Sequence, residues 1–93
     1  SMSYVIDFTK SALEDLEKHK KSGDLKILRK IAVLLTELLI HPQTGTGHPE
    51  LLKNEIKETY SRRINKKHRL VYRIKEETVT VIVLSAFAHY SDR

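Results

Sequence analysis

Three features predict an α+β fold in the order β-α-α-β-β-β, with two N-terminal helices packed on one face of a small, mainly antiparallel sheet. A short aromatic and β-branched run opens the chain, two stretches of helical periodicity follow, and the C-terminal third alternates apolar and polar residues between tight turns. The chain of 93 residues is read as one domain, 1–93. At this length about 60–65 % of the unfolded surface is buried, enough for one modest core. Ser1 in front of Met2 reads as a vector-derived residue, so the native start is expected at Met2.

Each element has its own warrant. "YVIDF" (Tyr4 to Phe8) is rich in strand formers and stops at Thr9, giving a first strand. Thr9 or Ser11 caps the helix that follows; Ser11 and Glu14 match a capping box, and Phe8, Ala12, Leu13 and Leu16 form its apolar stripe. "KHKKSGD" ends it, with basic residues in the last turn and Gly23 suited to a left-handed C-terminal conformation. Asp24 starts a second helix, "LKILRKIAVLLTELLIH", which Pro42 stops. Its apolar positions cover more than one sheet face can bury, so it is expected to be sandwiched between the sheet and either the first helix or a second subunit. "HPQTGTGHPE" is a loop by composition. "ETYSRRI", "HRLVYRI" and "TVTVIVLSAFA" then form a meander around the turns "NKK" and "KEE". In the middle strand Leu70, Tyr72 and Ile74 should face the core, and Arg69, Val71 and Arg73 a wet, basic face. The last strand is apolar on both faces, as a central strand should be.

Composition narrows the function classes. Lys+Arg 17 against Asp+Glu 12 gives a net charge of +5, which favours an anionic partner such as nucleic acid or an acidic protein. The absence of cysteine excludes a disulfide framework and a thiolate nucleophile. The longest apolar run, "IAVLLTELLI", is too short for a bilayer, and "MSYVIDFTK" lacks the pattern of a signal peptide, so a cytoplasmic protein without membrane contact is expected. Histidines at 19, 41, 48, 68 and 89 show no metal-ligand spacing, "GTGHPE" is no phosphate-binding loop, and there is no serine-nucleophile elbow. No metal or cofactor is implied.

RNA cleavage without a metal needs a base for the 2′-OH proton, a cation for the phosphorane charge and an acid for the 5′-oxygen leaving group. Glu50, Arg69 and His89 are of the right types. Each also has a plainer reading. Glu50 could be solvated surface, Arg69 a charge that keeps an outward strand face soluble, His89 a satisfied strand-end residue and Tyr90 an aromatic packing the final turn. "SRRINKKHR", six basic residues in nine, could contact phosphate or be a solvated hairpin.

"HPQTGTGHPELLK", "YSRRINKKHRLVYRI" and the terminal "AFAHY" resemble, in order and spacing, the YoeB (Txe) toxins of bacterial toxin–antitoxin systems, within the RelE/ParE superfamily. The resemblance spans Met2 to Tyr90. It implies a metal-independent endoribonuclease that cuts mRNA in the ribosomal A site and stops translation, a cognate antitoxin that neutralises it, and a homodimer. It also implies roles: Glu50 as general base, Arg69 on the scissile phosphate, His89 as general acid, Tyr90 as the aromatic that orients substrate, and Lys53 and Arg63 on RNA phosphates. The chain departs from the pattern in carrying Ser91, Asp92 and Arg93 after the tyrosine, and His48 where a lysine is common. A gyrase-poisoning toxin of the ParE type and a non-catalytic RNA- or antitoxin-binding module remain as alternatives. Strict strand alternation would send His89 and Tyr90 to opposite faces, so the chain is expected to break from the sheet by about Ala88 if both serve one site.

Overall fold

A computed structural model describes residues 3–53, 55 and 57–86. The elements run β1 (Val5–Phe8), α1 (Lys10–Ser22), α2 (Leu25–Leu38), β2 (Glu50–Leu51), β3 (Thr59–Arg63), β4 (Arg69–Lys75) and β5 (Thr78–Ala86). The expected plan is present, with one addition, the two-residue strand β2. The sheet order is β1-β5-β4-β3-β2, parallel between β1 and β5 and antiparallel elsewhere, so β5 is flanked on both sides as its two-faced apolarity required.

Local chemistry sets the helix ends. Thr9 caps α1, its side chain accepting the Ala12 N–H, and Gly23 ends it at φ 73°. Asp24 caps α2 by accepting from the N–H groups of Lys26 and Ile27. Ala12, Ile31, Leu34 and Leu38 of the helices meet Tyr60, Leu70, Tyr72, Val79, Val81 and Leu84 of the sheet in one core. Leu25, Val33, Leu39 and Ile40 stay exposed on and just beyond α2, so in the single chain the wide apolar stripe is covered only in part. The helix also ends at Leu38, before the expected stop at Pro42.

Two expectations about face need correction. Val71, assigned to a wet face, is fully buried. It pairs with Ser61 and Val83 on the face away from the helices, where Ser61 and Thr59 are buried too and where Arg73 reaches Glu55 at 3.7 Å. That face is therefore buried rather than wet at its centre, around Val71, Thr59 and Ser61. The alternation in β5 also slips earlier than expected. Val79 and Val81 point into the core, yet so does Leu84, because the β4–β5 register shifts between Tyr72 and Val71 and again between Val71 and Arg69. Strict alternation fails within the strand, before Ala88, and His89 and Tyr90 lie outside the described residues.

Candidate active site

The loop between α2 and β2 has no ladder of its own and is organised by one side chain. Arg62 of β3 is fully buried on the helix side of the sheet. Its Nε donates to the Tyr72 hydroxyl at 3.1 Å, Nη1 to Glu37 Oε1 at 2.8 Å and the Thr46 carbonyl at 3.4 Å, and Nη2 to the carbonyls of His41 at 2.9 Å and Thr44 at 2.7 Å. Tyr72 in turn donates to the Pro42 carbonyl at 2.5 Å, and Gln43 donates to the Tyr60 hydroxyl at 2.8 Å. Burial raises the Tyr72 phenol above its ordinary value, against the opposing pull of Arg62. Glu37 closes the network by accepting from the Thr46 N–H at 2.7 Å and hydroxyl at 2.6 Å. Burial opposes its charge, but those Thr46 donors and the Arg62 guanidinium outweigh it and hold the carboxyl below its ordinary value.

The loop then runs onto the sheet. The Gly47 carbonyl accepts the Arg63 N–H at 2.7 Å. Gly47 (φ 86°) lies so close to β3 that a Cβ there would sit 2.9 Å from the Arg63 carbonyl oxygen. His48 follows at φ 52°, a turn that a non-glycine residue seldom takes, and Glu50 and Leu51 pair with Ser61 and Tyr60.

This pairing brings three of the sequence-identified residues together. Glu50 opposes Ser61; two residues along β3 on the same face is Arg63, which opposes Arg69 of β4. Cross-strand partners share a face, so Glu50, Arg63 and Arg69 project from the side away from the helices. Arg69 is half-buried, and its Nη1 donates to the carbonyls of Asn65 at 2.9 Å and His68 at 3.3 Å. Burial and the neighbouring Arg63 push its guanidinium below the usual range while Glu50 pulls the other way, yet an arginine this far above neutrality stays charged. Lys53 is exposed in the turn after β2. The arrangement offers a carboxylate acceptor and two cations on adjacent strands, suited to a phosphodiester with a hydroxyl beside it. Among the described residues there is no cluster of three potential metal ligands.

The sequence reading missed Arg62 and Glu37. "SRRINKKHR" reads as phosphate-binding or solvated, and its first arginine is neither; the available signal is strand alternation, which sends Arg62 inward whenever Arg63 faces out. It also missed His19 and His68, whose rings meet edge to face at a centroid distance of 5.0 Å.

A basic α+β chain with two helices on one side of a five-stranded sheet, and cations on the other, has the architecture of a small toxin fold. The YafQ toxin of Escherichia coli, solved in its complex with DinJ, shares that fold with TM-score 0.76 at 14 % identity, over 89 % of this chain and 91 % of that one. The family is narrower: residues 8–90 match the model for the YoeB-like toxin of bacterial type II toxin–antitoxin systems, and the chain belongs to that family. It is 39 % identical over 85 residues to a YoeB toxin of Mycobacterium bovis, covering 91 % of this chain and 96 % of the relative. A YoeB/ParE toxin from Agrobacterium tumefaciens superposes with TM-score 0.79 at 31 % identity, over 87 % of this chain and 95 % of that one. A YoeB dimer from Staphylococcus aureus superposes with TM-score 0.77 at 34 % identity, over 89 % and 95 %. The Staphylococcus aureus protein is also solved in complex with YefM, its chain matching at 33 % identity and TM-score 0.75 over 89 % and 95 %.

Proposed function

We propose that the chain is a ribosome-dependent endoribonuclease that stops translation by metal-independent acid–base cleavage of mRNA in the A site. The observation that carries this reading is the convergence of Glu50, Arg63 and Arg69 on one sheet face, with Arg69 within electrostatic reach of Glu50. Glu50 takes the 2′-OH proton, Arg69 clamps the scissile phosphate as its charge grows, and Arg63 and Lys53 hold flanking phosphates. His89 gives its proton to the departing 5′-oxygen and Tyr90 orients the substrate. The described part of β5 ends at Ala86, which pairs with Arg69 itself. The cationic face draws ribosomal RNA phosphates around the site, and this is the physical ground for the ribosome dependence.

The dimer and antitoxin complex of the Staphylococcus aureus relative support a homodimer and a cognate antitoxin as partners. The exposed Leu25, Val33, Leu39 and Ile40 offer apolar surface for such contacts. No helix among the described residues is long and apolar enough to cross a membrane. A cytoplasmic setting follows from the ribosome as target.

Primer extension on one mRNA, with and without ribosomes, tests the reading. Wild type should leave new 3′ ends on ribosome-bound message and far fewer on naked RNA, and Glu50→Gln and His89→Ala should each lower cleavage by about 10²–10⁴-fold. Wild-type cleavage in both variants would remove these residues from the mechanism. Intact mRNA accompanied by gyrase-dependent DNA breaks would replace the reading with the ParE type.

A further inference from the structure

We infer that Arg62 and Glu37 are positioning residues of the cleavage site, holding Glu50 in place through the glycine-rich loop that Arg62 gathers. This rests on the reading of Glu50 as the general base. Glu50 sits in a strand of two residues, too short to fix its own position, so its place is set by what anchors the chain before it. Three successive anchors lie there. Arg62 holds the carbonyls of His41, Thr44 and Thr46, Glu37 holds the N–H and hydroxyl of Thr46, and Arg63 N–H holds the Gly47 carbonyl. Three residues after Gly47 comes Glu50.

Stability alone does not call for this network. A buried ion pair replaced by apolar residues of similar volume is often as stable or more so, whereas a guanidinium fork fixes several carbonyls at set angles. Residues 43–46 are exposed and contribute little apolar burial, so the loop's shape depends on these polar bonds. Gly45 (φ 120°) presses so closely on Glu37, His41 and Arg62 that a side chain there would collide with Glu37 Oε1. The same strand thus carries the two jobs on its two faces, Arg63 toward the proposed RNA and Arg62 toward the loop that brings the base to it.

The test compares Arg62→Lys, which keeps the charge and loses the fork, with Thr46→Val and Thr46→Ser at an exposed position where folding is not at stake. Cleavage of ribosome-bound mRNA is measured at saturating and limiting ribosome, alongside amide hydrogen exchange. Arg62→Lys and Thr46→Val should lower kcat by about tenfold or more with KM unchanged, as a displacement of about 1 Å can. Thr46→Ser should restore the wild-type rate. Amides of residues 43–50 should exchange faster while those of β4 and β5 keep their protection. If Arg62→Lys does not fold, Thr46→Val decides. Unchanged kcat in Thr46→Val despite a loosened loop, or a change in KM alone, overturns the inference. Wild-type cleavage by Glu50→Gln overturns instead the assignment of the base, and with it the role that the loop would serve.

Discussion

His68 is placed where a proton is unwelcome. Its ring meets His19, and its Nδ1 is buried with no hydrogen-bond partner among the described residues. Burial is the main force holding its pKa below the ordinary 6.5, followed by the nearby His19 and by Lys67; the Ser85 backbone and Asp15 pull the other way without prevailing. The sign of the pH effect follows. Between the folded and unfolded pKa values the unfolded chain binds the proton more readily, so stability falls as pH drops through about 6.5. Glu37, held low, removes stability in the same direction but in a separate window, below about 4.5. Urea midpoints should therefore decrease from pH 7.5 to pH 5.5, and His68→Gln should flatten that interval while leaving the acid limb near pH 4 in place. Equal slopes for the two proteins between pH 7.5 and pH 5.5 would show that His68 carries no such linkage. The five histidines gave no hint of this pair in the sequence, because the contact joins a helix to a hairpin turn 49 positions away and follows no local spacing.

β5 outruns its neighbour, and α1 completes it. β1 pairs with β5 only as far as Phe8 opposite Val81, after which the edge of β5 would stand open. Side chains take over from strand: Thr9 Oγ1 donates to the Ile82 carbonyl at 2.5 Å, Asp15 Oδ2 accepts the Leu84 N–H at 2.9 Å, and His19 Nε2 lies 3.0 Å from the Leu84 carbonyl and 2.8 Å from Ser85 Oγ. A carbonyl can only accept, so a hydrogen bond to Leu84 requires the Nε2–H tautomer of His19, whereas Ser85 Oγ can serve either tautomer. These bonds fall where the β4–β5 register slips, so α1 fixes the irregular end of the strand that leads toward the C-terminal residues. Asp15→Ala should leave the Leu84 N–H without a partner and destabilise by about 1–3 kcal/mol, with faster exchange of that amide. The exposed neighbour Glu14→Ala should change stability by less than about 0.5 kcal/mol, and equal effects from the two would argue against the clamp. Element order was legible because periodicities of two and 3.6 residues are local properties of the chain. The slip in β5 and the short β2 were not, because both depend on partners elsewhere: an outrun edge in one case, a loop gathered by Arg62 in the other.

At the scale of the molecule, the net charge of +5 is sorted by the fold rather than spread evenly. The buried Arg62 is paired with the partly exposed Glu37, and Arg73 lies beside Glu55, while Arg63 and Arg69 stand next to each other on the face that also carries Glu50. Like charges directly opposite on adjacent strands destabilise a sheet, so the Arg63–Arg69 pair is a local loss in the free protein that a bound polyanion would reverse. Arg69 was legible from its alternating strand position and from family resemblance, Arg63 from the resemblance alone. Sequence reading did not find that their neighbour Arg62 is silent towards an external anion, since burial is decided by packing across the sheet. A difference in salt dependence follows. Each phosphate contact on single-stranded nucleic acid contributes about 0.7 to the slope of log K against log salt. Arg63→Ala should therefore lower the slope for mRNA fragments by about 0.7 and weaken binding evenly across sequences. Lys18→Ala removes the same formal charge from an exposed position on α1, in the layer across the sheet, and should leave the slope as it is. Fluorescence anisotropy from 50 to 300 mM salt distinguishes the cases: equal reductions from the two substitutions would mean that the whole charge of the molecule attracts RNA, and a reduction from Arg63→Ala alone would locate the contact on the sheet face beside Glu50.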